Sequence, residues 1–123
     1  MSTSDTYGLK KQITPFAKSV YDATSLIPKG KVSTYKLIAQ AIGKPNSYRA
    51  VGMALSKNPF APVVPCHRVI TSNYSVGGYF GHSDGKYVNK KVKLLKKEGI
   101  LFNNDNKSLK KCSSYRKKVT YIL

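Results

Sequence analysis

The sequence predicts a mainly α-helical domain with a helix-turn-helix (winged-helix-like) arrangement and a small β element near the C-terminus. Three observations predict it. Apolar residues recur at helical spacing in four segments, glycine and proline turn signals separate these segments, and an Asn-rich stretch near the C-terminus has apolar residues on both sides. Since 123 residues suffice for one core, we expect a single domain, which extends over residues 15–123. Residues 1–14 are polar and rich in Ser and Thr, and we expect them to form a flexible lead-in.

The first two helices are short and have clear start and stop signals. Pro15 suits the first position of a helix, and the following apolar residues continue at helical spacing until the turn signal Pro28-Lys29-Gly30. Ser33 or Thr34 can cap a second helix that runs from Tyr35 to Ile42 and stops at Gly43. The apolar face of the first helix consists of Phe16, Val20 and Ala23.

A third helix is predicted with Asn46 or Ser47 as its cap and Asn58-Pro59 as its end. Together with the second helix and the tight turn between them, it matches the outline of a helix-turn-helix, whose second helix enters a DNA groove. Many helical hairpins of this outline bind nothing. Arg49 stands among small residues on the outer face, where it could reach a base stack or a phosphate, or could be an ordinary surface arginine.

The last predicted helix carries an apolar stripe of Val88, Val92 and Leu95, followed by the single acid Glu98. Glu98 forms either a solvent-exposed ion pair or a carboxylate that orients a histidine. Residues 100–123 can fold back as a small hairpin around Asn103-Asn104-Asp105-Asn106. The other faces of the helix, either solvated or directed at phosphates, hold Lys86, Lys90, Lys91, Lys93, Lys96 and Lys97.

The charge of the chain favours a polyanionic partner. Twenty-two Lys and Arg residues against five Asp and Glu residues give a net charge of +17 and a pI near 10.0, which is typical of nucleic-acid binding.

No apolar run reaches membrane-spanning length and the N-terminus has no signal-peptide pattern, so we expect an intracellular protein, cytoplasmic or nuclear, without a membrane partner. Cys66 and Cys112 have no metal-ligand spacing.

The segment Pro65-Cys66-His67-Arg68-Val69 places a cysteine beside a histidine after an apolar run. A cysteine is nucleophilic as a thiolate, and a nearby histidine and positive surroundings favour that form. A lone pair of this kind is more often a half-buried structural cysteine beside a surface histidine. The Gly- and aromatic-rich segment 70–81 that follows can form a pocket wall, or simply a surface turn.

Six motifs of this chain occur in the same order in one protein family. From about Phe16 through Gly99, the chain resembles the C-terminal DNA-binding and active-site domain of the O6-alkylguanine-DNA alkyltransferases, also called methylated-DNA–protein-cysteine methyltransferases. The motifs that carry the resemblance are Gly30-Lys31-Val32-Ser33-Thr34-Tyr35, Arg49-Ala50-Val51-Gly52-Met53-Ala54, Asn58-Pro59, Pro65-Cys66-His67-Arg68-Val69, Val76-Gly77-Gly78-Tyr79 and Leu95-Lys96-Lys97-Glu98-Gly99.

The resemblance implies a DNA repair protein that flips O6-alkylguanine, and also O4-alkylthymine, out of duplex DNA and transfers the alkyl group irreversibly to its own Cys66. Each molecule would work once, as a monomer on the minor groove of double-stranded DNA, with no cofactor and no metal. Family members usually carry a further N-terminal α/β domain. The short stretch before residue 15 leaves no room for one, so we expect it to be absent.

The resemblance also implies site residues. Cys66 would accept the alkyl group, His67 would act as its base through a water, Glu98 would orient His67, Tyr35 would donate to the leaving base, and Asn58 would hold the turn. The implied DNA contacts are Thr34, Ser47, Tyr48, Arg49, Ala50, Gly52 and Arg68. The implied base and alkyl pocket consists of Met53, Val64, Pro65, Val69, Val76, Gly78, Tyr79, Phe80 and Gly81.

Some residues depart from the family pattern, and other functions compete. Tyr48 is bulky where the family favours small residues, and Phe80 and the longer segment 81–85 could reshape the pocket. The main alternative is a non-catalytic alkyltransferase-like damage-binding protein, although such relatives replace the acceptor cysteine that is present here as Cys66. A plain basic helix-turn-helix binder and a thiol enzyme for a small substrate are further alternatives.

Overall fold

The computed structural model describes residues 13–82, 85–105 and 108–109. Within these ranges, four α-helices and a two-stranded sheet form the mainly α-helical fold that the sequence predicts. The expected lead-in lies almost entirely outside the described residues. The elements in chain order are α1 (Pro15–Thr24), β1 (Ser33–Thr34), α2 (Tyr35–Ala41), α3 (Tyr48–Ser56), a 3-10 turn (Cys66–Arg68), β2 (Val69–Ile70) and α4 (Gly85–Lys97).

The helix starts follow the expected capping chemistry. Thr14 caps α1, its Oγ1 accepting a hydrogen bond from the Ala17 amide at 3.1 Å, and Pro15 occupies the first helical position. Thr34 caps α2, its Oγ1 accepting from the Leu37 amide at 3.1 Å. Ser47 precedes α3 without a side-chain capping bond, so the first turn of α3 depends on packing rather than on a cap.

A parallel pair of two-residue strands joins the second helix to the cysteine segment. Ser33 of β1 lies opposite Val69 of β2, and Thr34 lies opposite Ile70. Since α2 begins directly after β1 and the Cys66 turn ends directly before β2, this pairing brings Tyr35 and Cys66 to the same side of the molecule. The sheet therefore connects two motifs that are far apart in the sequence.

Two buried clusters form the core. The first lies among α1, α2 and α3, which make up the helix-turn-helix part of the fold, and includes Val20, Ile38 and Val51. The hydroxyl of Tyr21 also joins α1 to α3, donating to the Ala54 carbonyl at 2.8 Å. The second cluster packs α4 against β2 and the chain that follows it, and contains Val32, Ile70, Val76, Val88, Val92, Leu95, Ile100 and Leu109.

The small β element expected near the C-terminus is present as an antiparallel bridge between Phe102 and Leu109. The Asn103 amide donates to the Ser108 carbonyl at 2.8 Å beside it. The rest of the expected hairpin, with Cys112, lies outside the described residues. As for membranes, the part of the chain that is described has no helix with the length and apolar character needed to cross one.

Candidate active site and nucleic-acid interface

Asn58 fixes the backbone that leads to Cys66. Its side chain is buried, with Nδ2 donating to the Val64 carbonyl at 2.8 Å and Oδ1 accepting from the Phe60 amide at 2.9 Å. The Cys66 amide then donates to the Val64 carbonyl at 2.8 Å. An asparagine can satisfy both a carbonyl and an amide of one turn in this way. The position of Cys66 is therefore determined by a buried amide side chain 8 residues earlier in the chain (66 − 58).

The Cys66 thiol is part of the lining of a cavity of about 290 Å³ between α2, α3 and the loop over residues 71–82, which we call the pocket loop. This volume is close to the lower limit of small-molecule sites. Of the pocket and DNA residues predicted from the sequence, Gly52, Gly78, Tyr79, Phe80 and Gly81 line it. The remaining lining residues are Tyr35, Leu55, Ser56, Thr71, Gly77 and His82.

Cys66 is 5% exposed, and its environment acts on the thiol in two directions. Burial raises the pKa of Cys66, whereas hydrogen bonding with Asn58 and Tyr79 and the positive charge of Lys91 lower it. Burial is the larger effect, so the pKa lies above its ordinary value. The cysteine is therefore a thiol at neutral pH, and its use as a nucleophile requires a base.

His67 can be that base. Its Nε2 lies 3.0 Å from Glu98 Oε2, and because a carboxylate only accepts, Nε2 carries the proton. Its Nδ1 then has the lone pair, and this buried atom has no protein partner among the described residues. Burial lowers the pKa of His67, while Glu98 opposes this change less strongly. The imidazole is therefore neutral at neutral pH and can accept a proton.

Glu98 is also held by a cation. Arg68 Nε donates to Glu98 Oε1 and Arg68 Nη2 donates to Oε2, both at 2.9 Å, and Nη1 donates to the Ile27 carbonyl at 2.9 Å. Burial raises the pKa of Glu98, but hydrogen bonds from Arg68 and His67 and the positive charge of Arg68 outweigh it and lower the pKa to about 2. Glu98 therefore stays ionised and is rigidly oriented toward His67.

This carboxylate gives a prediction for acid stability. A group whose pKa is lowered in the folded state stabilises the fold above its unfolded pKa, near 4.5, and this stability is lost as the pH falls toward 2. We expect the free energy of unfolding to fall by about 3 kcal/mol over this interval because of Glu98. Urea denaturation at a series of pH values measures it.

Two substitutions complete this test. Glu98→Gln is expected to remove most of the loss below pH 4.5, whereas Asp22→Asn is expected to retain it, since Asp22 lies in an exposed pair with Lys18. An equally steep acid loss in Glu98→Gln would contradict this account of the carboxylate.

Tyr35 lies between α3 and the pocket loop. A Cβ at Gly52 would lie 3.8 Å from the Tyr35 ring, and one at Gly77 would lie 3.4 Å from its hydroxyl, so the phenol lies against the backbone of α3 on one side and of the pocket loop on the other. Burial, with a smaller effect of the Cys66 charge, raises the pKa of Tyr35 to about 12. The phenol therefore remains protonated and can donate a hydrogen bond into the cavity.

The pocket loop closes with a tight aromatic turn. The amide of Tyr79 donates to the His82 carbonyl at 2.9 Å, and the His82 amide donates to the Tyr79 carbonyl at 3.0 Å. A Cβ at Gly78 would lie 2.9 Å from the His82 carbonyl oxygen, so the turn requires glycine there. Burial, with smaller effects of Cys66, raises the pKa of Tyr79 to about 12. Tyr79 is thus a hydrogen-bonding neighbour of Cys66 as well as part of the pocket wall.

His82 and Tyr87 were missed by the sequence analysis. Their rings stack at 4.2 Å, and the Tyr87 ring meets Phe80 edge-on at 6.4 Å. Together these three rings form an aromatic rim beside the cavity. No sequence signal indicates it, because the rings converge only through the position at which α4 begins.

The outer face of α3 carries the residues predicted to contact DNA. Tyr48, Arg49 and Ala50 are exposed, and Ser47 before them is half-buried. Met53, predicted as a pocket residue, is 60% exposed and instead lines a second groove with Arg49 and Ala50, because it projects from α3 away from Cys66. This mainly apolar groove of about 890 Å³ runs between α1 and α3.

Two of the predicted DNA contacts lie mainly inside the fold. Thr34 is 4% exposed, and its hydroxyl caps α2. Arg68 is half-buried, and its guanidinium donates to Glu98 and Ile27 because the parallel strands bring these groups to it. Four predicted pocket residues lie buried outside the cavity lining, where they support the Cys66 turn and the pocket loop, namely Val64, Pro65, Val69 and Val76.

Lys91 is the largest correction. The sequence analysis placed it with the lysines on the solvated or phosphate-facing side of the last helix, and the other five are exposed, but Lys91 is fully buried. The signal was available, since Val88, Lys91, Val92 and Leu95 follow the helical spacing i, i+3, i+4 and i+7.

In the described ranges, no group of three or more His, Cys, Asp or Glu residues could hold a metal ion.

Comparisons with known proteins agree with this geometry. The family model described as 6-O-methylguanine DNA methyltransferase, DNA binding domain, matches residues 15–100. A methylated-DNA–protein-cysteine methyltransferase of Methanosarcina barkeri is 52% identical over 73 residues, which cover 59% of this chain and 46% of that protein. One of Saccharolobus islandicus is 50% identical over 86 residues, covering 70% and 52%. The chain thus spans about half the length of these curated relatives.

Two solved structures are similar in fold. Mycobacterium tuberculosis OGT in complex with DNA is 41% identical with a TM-score of 0.64, covering 71% of this chain and 51% of that one. S. pombe Atl1 in complex with damaged DNA containing O6-carboxymethylguanine is 29% identical with a TM-score of 0.69, covering 92% of this chain and 98% of that one. With its match over residues 15–100, this chain belongs to the 6-O-methylguanine DNA methyltransferase family.

Proposed function

We propose that this chain repairs alkylated DNA by moving the alkyl group from O6 of a guanine to Sγ of its own Cys66. The observation that carries the proposal is a buried thiol on the wall of a cavity, next to a neutral histidine whose other nitrogen is bound to an ionised glutamate. In this arrangement the histidine can take the thiol proton when an alkylated base enters the cavity, and the cavity is large enough for a small group.

The proposed reaction balances without a cofactor. The Cys66 proton passes to His67 Nδ1, through a water, and the thiolate attacks the alkyl carbon in line, so that the S–C bond forms as the C–O6 bond breaks. The departing guanine takes a proton from the Tyr35 hydroxyl, which the proton on His67 finally replaces through the solvent. The net products are guanine and a thioether on Cys66, and since the thioether is stable, each chain reacts once.

The outer face of α3 supports DNA as the partner. Arg49 is exposed beside the small residue Ala50, so α3 can approach a duplex closely and Arg49 can enter the base stack in place of the flipped nucleotide. The net charge of +17 supports phosphate contacts on either side. We infer a minor-groove complex of one chain with double-stranded DNA, in which Ser47 and the exposed ring of Tyr48 adjoin the backbone.

The main alternative is a damage-binding protein without transfer. The similarity to Atl1 over 92% of this chain favours it, whereas the presence of Cys66 in the cavity beside His67 favours transfer. O4-alkylthymine is a further proposed substrate, because it presents the same alkyl–oxygen bond.

A repair assay tests the proposed function. A duplex with one O6-methylguanine is kept in about tenfold excess over the protein and digested to nucleosides, and the loss of O6-methyldeoxyguanosine is counted as restored guanine. We expect restored guanine to stop at one per chain, and a second duplex with O4-methylthymine measures the extension to thymine. If the chain binds the lesion selectively but restores no guanine, it is a damage-recognition protein and not a transferase. If it shows neither lesion preference nor repair, it is a basic DNA-binding domain only.

A further inference from the structure

Lys91 of α4 brings a fully buried ammonium group to the cysteine site. Its Nζ donates to the carbonyls of Val69 at 2.7 Å, Val76 at 2.6 Å and Gly78 at 3.0 Å. An ammonium has three protons, and each has one acceptor here. The carbonyls belong to two segments, the strand that follows the Cys66 turn and the pocket loop. Lys91 therefore joins the pocket wall to the segment that carries the nucleophile.

The ammonium is also a cation that acts on the cysteine. Burial lowers the pKa of Lys91 to about 7, the charge of Cys66 opposes this, and three carbonyl acceptors also favour the protonated form. The groups on which Lys91 acts, or which face it, are Cys66, His67 and the Tyr35 ring, whose centroid lies 5.9 Å from Nζ.

Arg68, a half-buried cation two residues after Cys66, is paired with Glu98 and is thereby neutralised locally. The five exposed lysines of α4 are screened by solvent. Within the described part of the chain, the hydrogen-bond acceptors of Lys91 are three carbonyls and no carboxylate. Its charge is therefore available to a negative group that forms in the cavity.

We propose that Lys91 is a positioning residue for alkyl transfer, whose ammonium holds the pocket loop against the Cys66 segment and compensates the negative charge of the thiolate. This inference rests on the proposed function. A thiolate in a buried site is costly without a compensating charge, and a fixed cation lowers that cost without any rearrangement at the moment of reaction. The same three hydrogen bonds keep Val76 and Gly78 at the cavity, so geometry and charge depend on one side chain.

Titration of the Cys66 thiol tests the inference without DNA. The rate of alkylation by iodoacetamide is measured against pH in a Cys112→Ser background, so that a single thiol reacts. We expect Lys91→Met to raise the pKa of Cys66 by about 1 unit or more, which reduces the rate at neutral pH at least about tenfold. The matched control Lys93→Met removes an exposed lysine of the same helix and is expected to leave the titration unchanged. An unchanged titration in folded Lys91→Met would overturn the inference.

A second measurement uses the unsubstituted lysine, because Lys91→Met leaves three buried carbonyls without donors and could fail to fold. The ammonium of Lys91, protected from exchange by burial, is titrated by ¹⁵N NMR before and after Cys66 is capped with iodoacetamide. Because an ammonium and a thiolate each stabilise the charged form of the other, the two groups titrate as a pair, and we expect Lys91 to keep its proton to a higher pH with free Cys66 than after capping. The same titration of Lys91 before and after capping would overturn the inference. Both titrations remain decisive if the chain transfers no methyl group, so failure of the proposed function is recognised separately by the repair assay.

Discussion

Replacing Cys66 with alanine is expected to reduce methyl transfer to the uncatalysed background while selective binding of the lesion duplex is retained. The sulfur is the only protein atom that bonds to the alkyl carbon in the proposed mechanism, so no other group can substitute for it. The proposed DNA contacts lie on α3, whose exposed residues are not altered by the change. The truncation removes one atom from a well-packed site and is expected to cost about 1 kcal/mol of stability, so the variant should fold.

The matched control is Cys112→Ala, which removes the other thiol of the chain and is expected to transfer at the rate of the unsubstituted protein. Both variants are assayed with the O6-methylguanine duplex, for restored guanine and for binding by fluorescence anisotropy. If Cys66→Ala restored guanine, or if Cys112→Ala lost the transfer, the assignment of Cys66 as the acceptor would be wrong.

Replacing His67 with glutamine is expected to slow transfer by about 100- to 10,000-fold, the range for removal of a general base. The reason is the raised pKa of Cys66, which leaves the cysteine protonated at neutral pH unless a neighbour accepts its proton. The deficit should narrow as the pH rises toward the pKa of the thiol, because solvent base can then ionise it. Single-turnover rates from rapid quenching, measured against pH, give both the loss and its pH dependence.

Glu98→Gln provides the comparison for this prediction. It retains an acceptor near His67 Nε2 but loses the charge, so its transfer rate should fall less than that of His67→Gln. A rate for His67→Gln equal to that of the unsubstituted chain across the pH range would show that the thiol is ionised by another group. Comparing Glu98→Gln with His67→Gln thus separates the effect of orienting the imidazole from the effect of removing the proton acceptor.

Local signals in the sequence predict the helices and most of the cysteine site. Pro15 and Thr34 start helices where capping chemistry requires, and the predicted ends agree with the structure to within about three residues. The resemblance supplied Cys66, His67, Glu98 and Tyr35, and the structure places His67 against Glu98, and Cys66 in a cavity with Tyr35. Their individual roles remain proposals.

The contacts that the sequence did not indicate are long-range. Strands of two residues have no periodicity, so the pairing of Ser33 with Val69 gives no local pattern, and the engagement of Arg68 by Glu98 follows from that pairing. Lys91 was misplaced for a different reason. Lysine is so seldom fully buried that its residue type outweighed its position on the apolar stripe of α4. A lysine at such a position is a signal for a buried cation with organised acceptors.

The measurement that tests the central claim most directly follows the alkyl group itself. The chain is incubated with a duplex whose single O6-methylguanine carries a trideuterated methyl group, and the protein is then digested and mapped by tandem mass spectrometry. The account predicts one trideuterated methyl per chain, located on the peptide with Cys66 and absent from the peptide with Cys112. A chain that binds the lesion duplex selectively but gains no label, or that carries the label on another residue, would contradict it.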